Sequence, residues 1–343
     1  MSGWYVLGQE VRALEEILAA RWGLKHAVGV ASGLDAIEVS LRALGCGPGD
    51  RVLTTPVSAF ATTLAIVKLG AVPVFADTDE CGLIDLDRCR DILRLRGDIR
   101  FFVPVHLYGH ALDSGKLRGL RQEFGLQIVE DCAQSVEARF RGEPTGTAGQ
   151  AAATSFYPTK NLGAMGDGGA ILTNDAELAG RVRALRDYGQ SAKYVHDYVG
   201  YNSRLDELHA AFLCDACLPR LDPWTRRRRE IAEAYIERIR HTGVQIVGGP
   251  EGSESCWHLF PVRVGTEARA AFLEHLNRSG IAAGIHYPTA IPDQPAMKTA
   301  RFEMADDCTR ARCLCASEVS LPIHPYLTGD EVEQVIESVN TWA

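Results

Sequence analysis

The stretch Ala152-Ala153-Thr154-Ser155-Phe156-Tyr157-Pro158-Thr159-Lys160-Asn161-Leu162-Gly163, continued by AMGDGGAILT to Thr173, is the most informative part of this 343-residue chain. Apolar runs at 152–157 and 169–173 read as buried parallel strands. Between them a lysine precedes a loop containing Gly163, Gly166, Gly168 and Gly169. A lysine in that position differs from the usual solvated lysine on a helix face. Burial or a nearby cation lowers a lysine pKa and makes the amine nucleophilic toward carbonyls.

Working outward, further apolar runs at 27–30, 51–56, 72–77, 100–105 and 126–131 read as parallel strands. Segments with helical spacing lie between them, at 34–44, 58–69, 85–95 and 113–124. That alternation predicts an α/β fold with a mostly parallel sheet flanked by helices. Helical stretches follow at 176–187, 204–218 and 224–240. The remainder reads as a smaller C-terminal α/β domain: strands at 258–264 and 281–286, helices at 267–279 and 328–341. The length agrees with two domains, which we divide as 1–222 and 223–343, the second entered through the helix at 224–240.

Composition narrows the function. With 36 basic and 44 acidic residues the net charge is −8, which disfavours nucleic acid and anionic membranes as partners. The basic run Arg226–Arg229 is expected to be a solvated helix face. No apolar run reaches the length of a membrane span, and the opening MSGWYVLGQEVRALEE lacks a secretory pattern. We expect a cytoplasmic location. Among ten cysteines only Cys214 and Cys217 are spaced C-x-x-C. They lie in a helical pattern without the four converging ligands of a zinc site, so no metal centre is expected and the pair reads as helix packing. Glycine is in excess, 33 residues, which asks for tight turns or close backbone approach to a ligand.

Familiar nucleotide motifs fail. Gly45-Cys46-Gly47-Pro48-Gly49 follows a helix and precedes a strand, the reverse of a dinucleotide fingerprint. There is no P-loop and no G-x-S-x-G. The chemistry therefore belongs at strand ends, where open α/β sheets bind ligands. After 27–30 comes Ser32-Gly33 at a helix start, compatible with a phosphate site or with a simple helix cap. Asp131 ends the strand at 126–131, where a buried carboxylate needs a partner. Pyridoxal phosphate needs a Schiff-base lysine, an acid beside its ring nitrogen and a phosphate cup. Lys160, Asp131 and the Ser32/Gly33 turn with Ser155 supply these in order.

Here the chain resembles the fold-type-I, pyridoxal-phosphate-dependent nucleotide-sugar aminotransferases of the DegT/StrS type. The resemblance runs through ASGLDAI (31–37), GAVPVFAD (70–77), VPVHLYGH (103–110), IVEDCAQS (128–135), TSFYPTKNLGAMGDGGAILTND (154–175), GYNSRLDELHAA (200–211), GIAAGIHYP (280–288) and SLPIHP (320–325), essentially the whole chain. It implies Lys160 as the covalent cofactor lysine and proton shuttle, and Asp131 as the pyridinium partner. It places Gln134 near the ring hydroxyl, and Ser32, Gly33, Leu34 and Ser155 at the phosphate. Asn202 resembles an asparagine lent to the neighbouring subunit's phosphate, which implies a homodimer with shared active sites. His286 and Tyr287 resemble substrate contacts.

Three departures accompany it. The position of a ring-stacking aromatic falls on Ala59, with Phe60 adjacent as the other candidate. Leu34 replaces a common threonine, keeping the N–H and losing the hydroxyl. Pro292 stands where a histidine is usual. The implied reaction is amino transfer from L-glutamate to a nucleotide-linked keto-sugar, for amino sugars of a surface polysaccharide or a glycosylated natural product. Ser-Gly-Leu-Asp-Ala and NSRLDEL resemble the 3-keto-6-deoxyhexose subgroup more than the 4-keto subgroup. A 4-keto-sugar aminotransferase, a non-catalytic regulatory relative, and another fold-type-I enzyme such as a decarboxylase or aldolase are the alternatives.

Overall fold

The computed structural model describes residues 3–342. Helix α1 (Gln9–Trp22) leads into an alternating series: β1 (His26–Val30), α2 (Gly33–Ala43), β2 (Arg51–Thr54), α3 (Phe60–Lys68), β3 (Val72–Phe75), α4 (Leu86–Leu95), β4 (Ile99–Val103), α5 (Ser114–Phe124) and β5 (Gln127–Asp131). β6 (Ala151–Ser155), β7 (Gly169–Thr173) and α6 (Ala176–Arg186) follow. Helix α1 was not anticipated, although Val11, Leu14, Leu18 and Trp22 bury one face at helical spacing.

The strands join in the order β1-β7-β6-β5-β4-β2-β3, and a two-residue strand, Glu303–Met304, extends the sheet beside β3. Pairing is parallel from β6 across to that edge, but β7 runs antiparallel to both neighbours, β1 and β6, so the parallel pairing expected of 27–30 and 169–173 does not form; the segment 156–168 between β6 and β7 holds no crossover helix. Side chains alternate between faces. Val52, Phe101, Val103 and Val129 pack with α2, α3 and α6 on one side, while Leu53, Phe102 and Ile128 enter the core on the other. Because both faces are covered, the parallel strands end in the protein interior, and their carboxyl ends converge on one place.

The predicted helices 204–218 and 224–240 are one continuous run. α7 (Glu207–Phe212) passes through a widened turn, Leu213–Cys217, into α8 (Leu218–Arg238). The run carries two prolines, Pro219 at the start of α8, next to the widened turn, and Pro223 inside it. Leu218 and Leu221 pack with α1, whereas Ile231, Ala232 and Tyr235 belong to a separate C-terminal core. The residue-222 boundary thus falls inside α8.

That second core lies between α8, a three-stranded antiparallel sheet, and two further helices, α9 (Arg269–Arg278) and, beyond α10 (Thr309–Ser317), α11 (Gly329–Asn340). Its strands are β8 (Gln245–Ile246), β9 (Phe260–Arg263) and, after the edge strand β10 (Glu303–Met304), β11 (Glu318–Leu321). The strand expected at 281–286 is absent. Only Gly284 pairs, with Ser320 of β11, and the next ladder position is lost because the His286 N–H donates to the Glu318 carboxylate at 2.6 Å.

Arg226–Arg229 is not a uniformly solvated face. Arg228 is buried and donates to the carbonyls of Trp257, His258 and Ile323, while Arg229 reaches those of Ser255 and Glu137. Four consecutive residues cover every side of a helix, so some must face the protein.

Candidate active site

Strand β5 ends on two carboxylates that point to opposite sides. Glu130 accepts N–H bonds from Gly146, Ala148 and Gly149 and contacts His106 Nε2 at 2.9 Å. Burial alone would raise its pKa, but the His106 contact and these N–H groups outweigh it and hold the carboxyl below its ordinary value. Glu130 is therefore an internal brace of the 146–149 turn.

Asp131 faces a cavity of about 420 Å³. It accepts from Thr62 Oγ1 at 2.8 Å and from the Ala133 N–H at 3.0 Å, and Thr62 in turn pairs with Ser58 Oγ at 2.8 Å. Burial pushes the Asp131 carboxyl above its usual range, against the pull of those donors and of Lys160. Among the described residues no basic side chain comes within ion-pair distance of it. A cationic group placed in the cavity would remove that cost.

Lys160 occupies the turn after β6, its N–H bonded to the Tyr157 carbonyl at 2.8 Å. The half-buried side chain lines the cavity wall. Burial lowers its pKa, partly countered by Asp131. The start of α2 closes the opposite end. Ser32 caps the helix through the Asp35 N–H at 3.1 Å, and the N–H groups of Gly33 and Leu34 have no protein partner among the described residues. Free N–H groups at the positive end of a helix dipole suit a phosphate. Ser155 lies against Gly33, where a Cβ on the glycine would come within 2.6 Å of the serine Cβ. Gln134 is fixed from both ends, accepting from the Tyr108 N–H at 2.7 Å and donating to Tyr287 Oη at 3.3 Å.

Nine of the ten expected site residues line this one cavity; Asn202 does not. Asn202 is exposed and pairs through its backbone with Asp187. Ala59 forms part of the wall, whereas Phe60 packs into the core, so Phe60 does not take the place of a ring-stacking aromatic from this loop. Leu34 contributes its free N–H as anticipated, and Pro292 is buried in a turn at Ile291–Asp293, away from the cavity. One glycine of the loop after Lys160 serves packing rather than a ligand. A Cβ on Gly169 would meet the Ser32 and Thr154 backbones at 2.5 and 2.8 Å, so close packing of protein on protein requires that glycine.

Sequence reasoning missed Thr62 and His258. Thr62 lies in the first turn of α3, just beyond β2, so the strand-end rule could have found it. No local signal marks His258. It sits with Lys160 and His286 where the first cavity meets a second, of about 610 Å³, lined also by Trp224, Arg228 and Tyr326. Asn161 donates to the Cys256 carbonyl and accepts from His258 Nδ1, both at 3.1 Å. Burial, then the nearby Lys160 charge, pushes the His258 pKa well below its usual value.

The sequence model of the DegT/DnrJ/EryC1/StrS aminotransferase family matches residues 1–340. The chain belongs to this family. It is 41% identical to the dTDP-3-amino-3,4,6-trideoxy-alpha-D-glucose transaminase of Streptomyces venezuelae, an alignment covering 100% of this chain and 89% of the relative. It is also 41% identical to the dTDP-3-amino-3,6-dideoxy-alpha-D-galactopyranose transaminase of Aneurinibacillus thermoaerophilus, covering 99% and 92%. Among solved structures, S. venezuelae DesV in complex with a ketimine intermediate superposes with a TM-score of 0.93 at 41% identity, covering 99% of this chain and 91% of that one.

Aminotransferases of the DegT/DnrJ/EryC1/StrS family depend on pyridoxal phosphate. The residues present fit that group. The cavity combines a buried acid without a cationic partner, an amine of lowered pKa and a helix start with two free N–H groups.

Proposed function

We propose that this chain transfers the amino group of L-glutamate to the ketone of a nucleotide-linked 3-keto-6-deoxyhexose, in biosynthesis of an amino sugar. The observation that carries the reading is Lys160, an amine of lowered pKa where a cofactor-sized cavity meets a larger second one. The two curated relatives, both named as dTDP-3-amino-sugar transaminases, support the 3-keto position.

In this reading Asp131, steadied by Thr62, would hold the ring nitrogen, Gln134 the ring hydroxyl, and Gly33, Leu34, Ser32 and Ser155 the phosphate. Bound pyridoxal phosphate supplies the electron sink and carries the amino group between substrates. Lys160 Nζ anchors the cofactor and moves the proton at the reacting carbon of each substrate. The second cavity receives the nucleotide-linked sugar, with His286 and Tyr287 beside its reacting end. The larger and the C-terminal parts, joined through α8, enclose the site from two sides, the second supplying His258, His286 and Tyr287.

The working unit in this reading is a homodimer in which Asn202 serves the partner's phosphate site. Its exposure, and the exposed Tyr194, Val195 and Val199 nearby, support a second copy covering this surface. Ten free cysteines support a reducing, cytoplasmic setting, and no helix among the described residues is long and apolar enough to cross a membrane.

The test is a screen of nucleotide-linked 3-keto- and 4-keto-6-deoxyhexoses with glutamate, following 2-oxoglutarate and the amino sugar. We expect turnover with a 3-keto sugar, and none in Lys160→Ala, which should bind the cofactor without a borohydride-reducible link. Turnover in Lys160→Ala, or preference for 4-keto sugars, would refute the corresponding part. Mixing Lys160→Ala with Asn202→Ala should restore activity through hybrid dimers carrying one intact site.

A further inference from the structure

His286 stands at the junction of the two cavities, and an unusual chain of groups lies behind it. Its Nδ1 is 2.9 Å from Ser320 Oγ, and Ser320 Oγ is 2.5 Å from Glu318 Oε1. The other Glu318 oxygen accepts the His286 backbone N–H at 2.6 Å. Two backbone bonds between Gly284 and Ser320 fix the spacing, and Tyr108 Oη holds the His286 carbonyl at 2.8 Å. A Cβ on Gly284 would lie 2.9 Å from His286 Cε1, so the ring rests on a glycine. His286 Nε2 has no protein partner among the described residues.

One hydroxyl joins the histidine to the carboxyl, and it can donate in only one direction at a time. With Glu318 ionised, Ser320 donates to it and accepts from Nδ1–H, leaving Nε2 a bare acceptor. With Glu318 protonated, Glu318 donates to Ser320, Ser320 donates to Nδ1, and Nε2 carries the hydrogen. The protonation state of a fully buried carboxyl is thus read out at a ring nitrogen facing the cavities.

We propose that Glu318, Ser320 and His286 form a proton relay that lends a proton, through His286 Nε2, to the ketone oxygen of the acceptor as that oxygen leaves. The proposal rests on the amino-transfer reading above. When an amine nitrogen replaces a ketone oxygen, the C–O bonds break, the bond to nitrogen forms, and water departs with two protons that come from the amine. The oxygen has to be protonated before the nitrogen has released both. The relay bridges that interval: Glu318 gives a proton to Ser320 Oγ, the serine proton moves to Nδ1, and the Nε2 proton passes to the oxygen. The second proton released by the nitrogen returns along the same path, so no net proton or electron is consumed.

The surroundings agree. Burial raises the Glu318 carboxyl to about 7, against its bonds to Ser320 and the His286 N–H and the attraction of Arg269. Tyr108, Tyr287 and Cys315 also face it, each with its own pKa raised by burial. Around His286 the charged or titratable neighbours are Lys160, His258, Tyr287, Tyr108 and Glu318 itself, and burial followed by Lys160 lowers its pKa. A histidine that resists a permanent charge is suited to passing a proton on.

Glu318→Gln separates relay from structure. The His286 N–H requires the amide oxygen opposite it, so the amide nitrogen must donate to Ser320, which locks Nε2–H without a transferable proton. Neutron diffraction from the full-chain holoenzyme, well below and well above about pH 7, reads the hydrogens directly. We expect Nε2–H with protonated Glu318 at low pH, Nδ1–H with ionised Glu318 at high pH, and Nε2–H at both in Glu318→Gln. Single-turnover kinetics should show sugar amination slowed by roughly 10²-fold in Glu318→Gln and Ser320→Ala, with the loss of rate above about pH 7 abolished, and release of 2-oxoglutarate, which reverses the same exchange of oxygen for nitrogen, slowed in the same variants. A His286 tautomer that ignores pH, or an unaltered pH limb in Glu318→Gln, overturns the relay. Glutamate turnover without amination of any keto-sugar would overturn the substrate reading, while the neutron result still decides the relay.

Discussion

Asn161, next to Lys160, ties the turn after β6 to the C-terminal part of the chain, accepting from His258 Nδ1 and donating to the Cys256 carbonyl, both at 3.1 Å. Because the amide nitrogen is committed to a carbonyl, its oxygen must face the histidine. The ring therefore carries its hydrogen on Nδ1 and turns an unprotonated Nε2 to the junction of the cavities.

Asn161→Ala leaves a buried carbonyl and a buried ring N–H without partners. We expect a loss of about 1–3 kcal/mol in stability by urea unfolding. His258→Phe should remove the acceptor at the junction while leaving the Lys160 backbone turn in place. Unchanged stability in Asn161→Ala would mean that water replaces both bonds.

The contact between Gly33 and Ser155 sets how closely the α2 start approaches β6. Gly33→Ala places a Cβ within 2.6 Å of the serine Cβ, so the two must separate. We expect about 1–3 kcal/mol of destabilisation, with weaker pyridoxal phosphate binding. Adding Ser155→Gly removes the colliding carbon and should recover stability, but not the affinity supplied by the lost hydroxyl. Failure of the second change to recover stability would place the strain elsewhere.

Two buried carboxyls push the pH dependence of stability in opposite directions. The folded pKa of Glu130 is lowered, so its contribution is present above the unfolded value of about 4.3 and is lost as pH falls through the folded value. That of Glu318 is raised to about 7, so its contribution is greatest below the unfolded value and declines as pH rises toward 7. Each contributes at most about 1.4 kcal/mol per pH unit. Denaturant titrations should show Glu318→Gln flattening the fall between pH 4.3 and about 7, and Glu130→Gln flattening the fall on the acid side. Identical slopes in wild type and variants would contradict these assignments.

Chain order alone exposed the α/β alternation, the rule that ligands lie at strand ends, and the spacing of Ser32, Asp131 and Lys160. These follow from short-range physics: side-chain periodicity decides which segments become strands or helices, and a parallel sheet brings their carboxyl ends together. The same local reading misjudged 281–286, where a side chain 32 residues away takes the N–H a strand would have used. It also misjudged the arginine run, because a periodic pattern does not say what lies opposite each face.

Only the packed molecule decided the rest. Thr62 reaches Asp131 from 69 residues away, Asn161 reaches His258 from 97, and His286 meets Ser320 from 34. Ala59, not Phe60, became the cavity wall because the phenylalanine turns into the core. Residue type and spacing along the chain select which groups can do the chemistry. The directions of their hydrogen bonds, and so which nitrogen or oxygen holds the proton, are set by neighbours that only folding brings within reach.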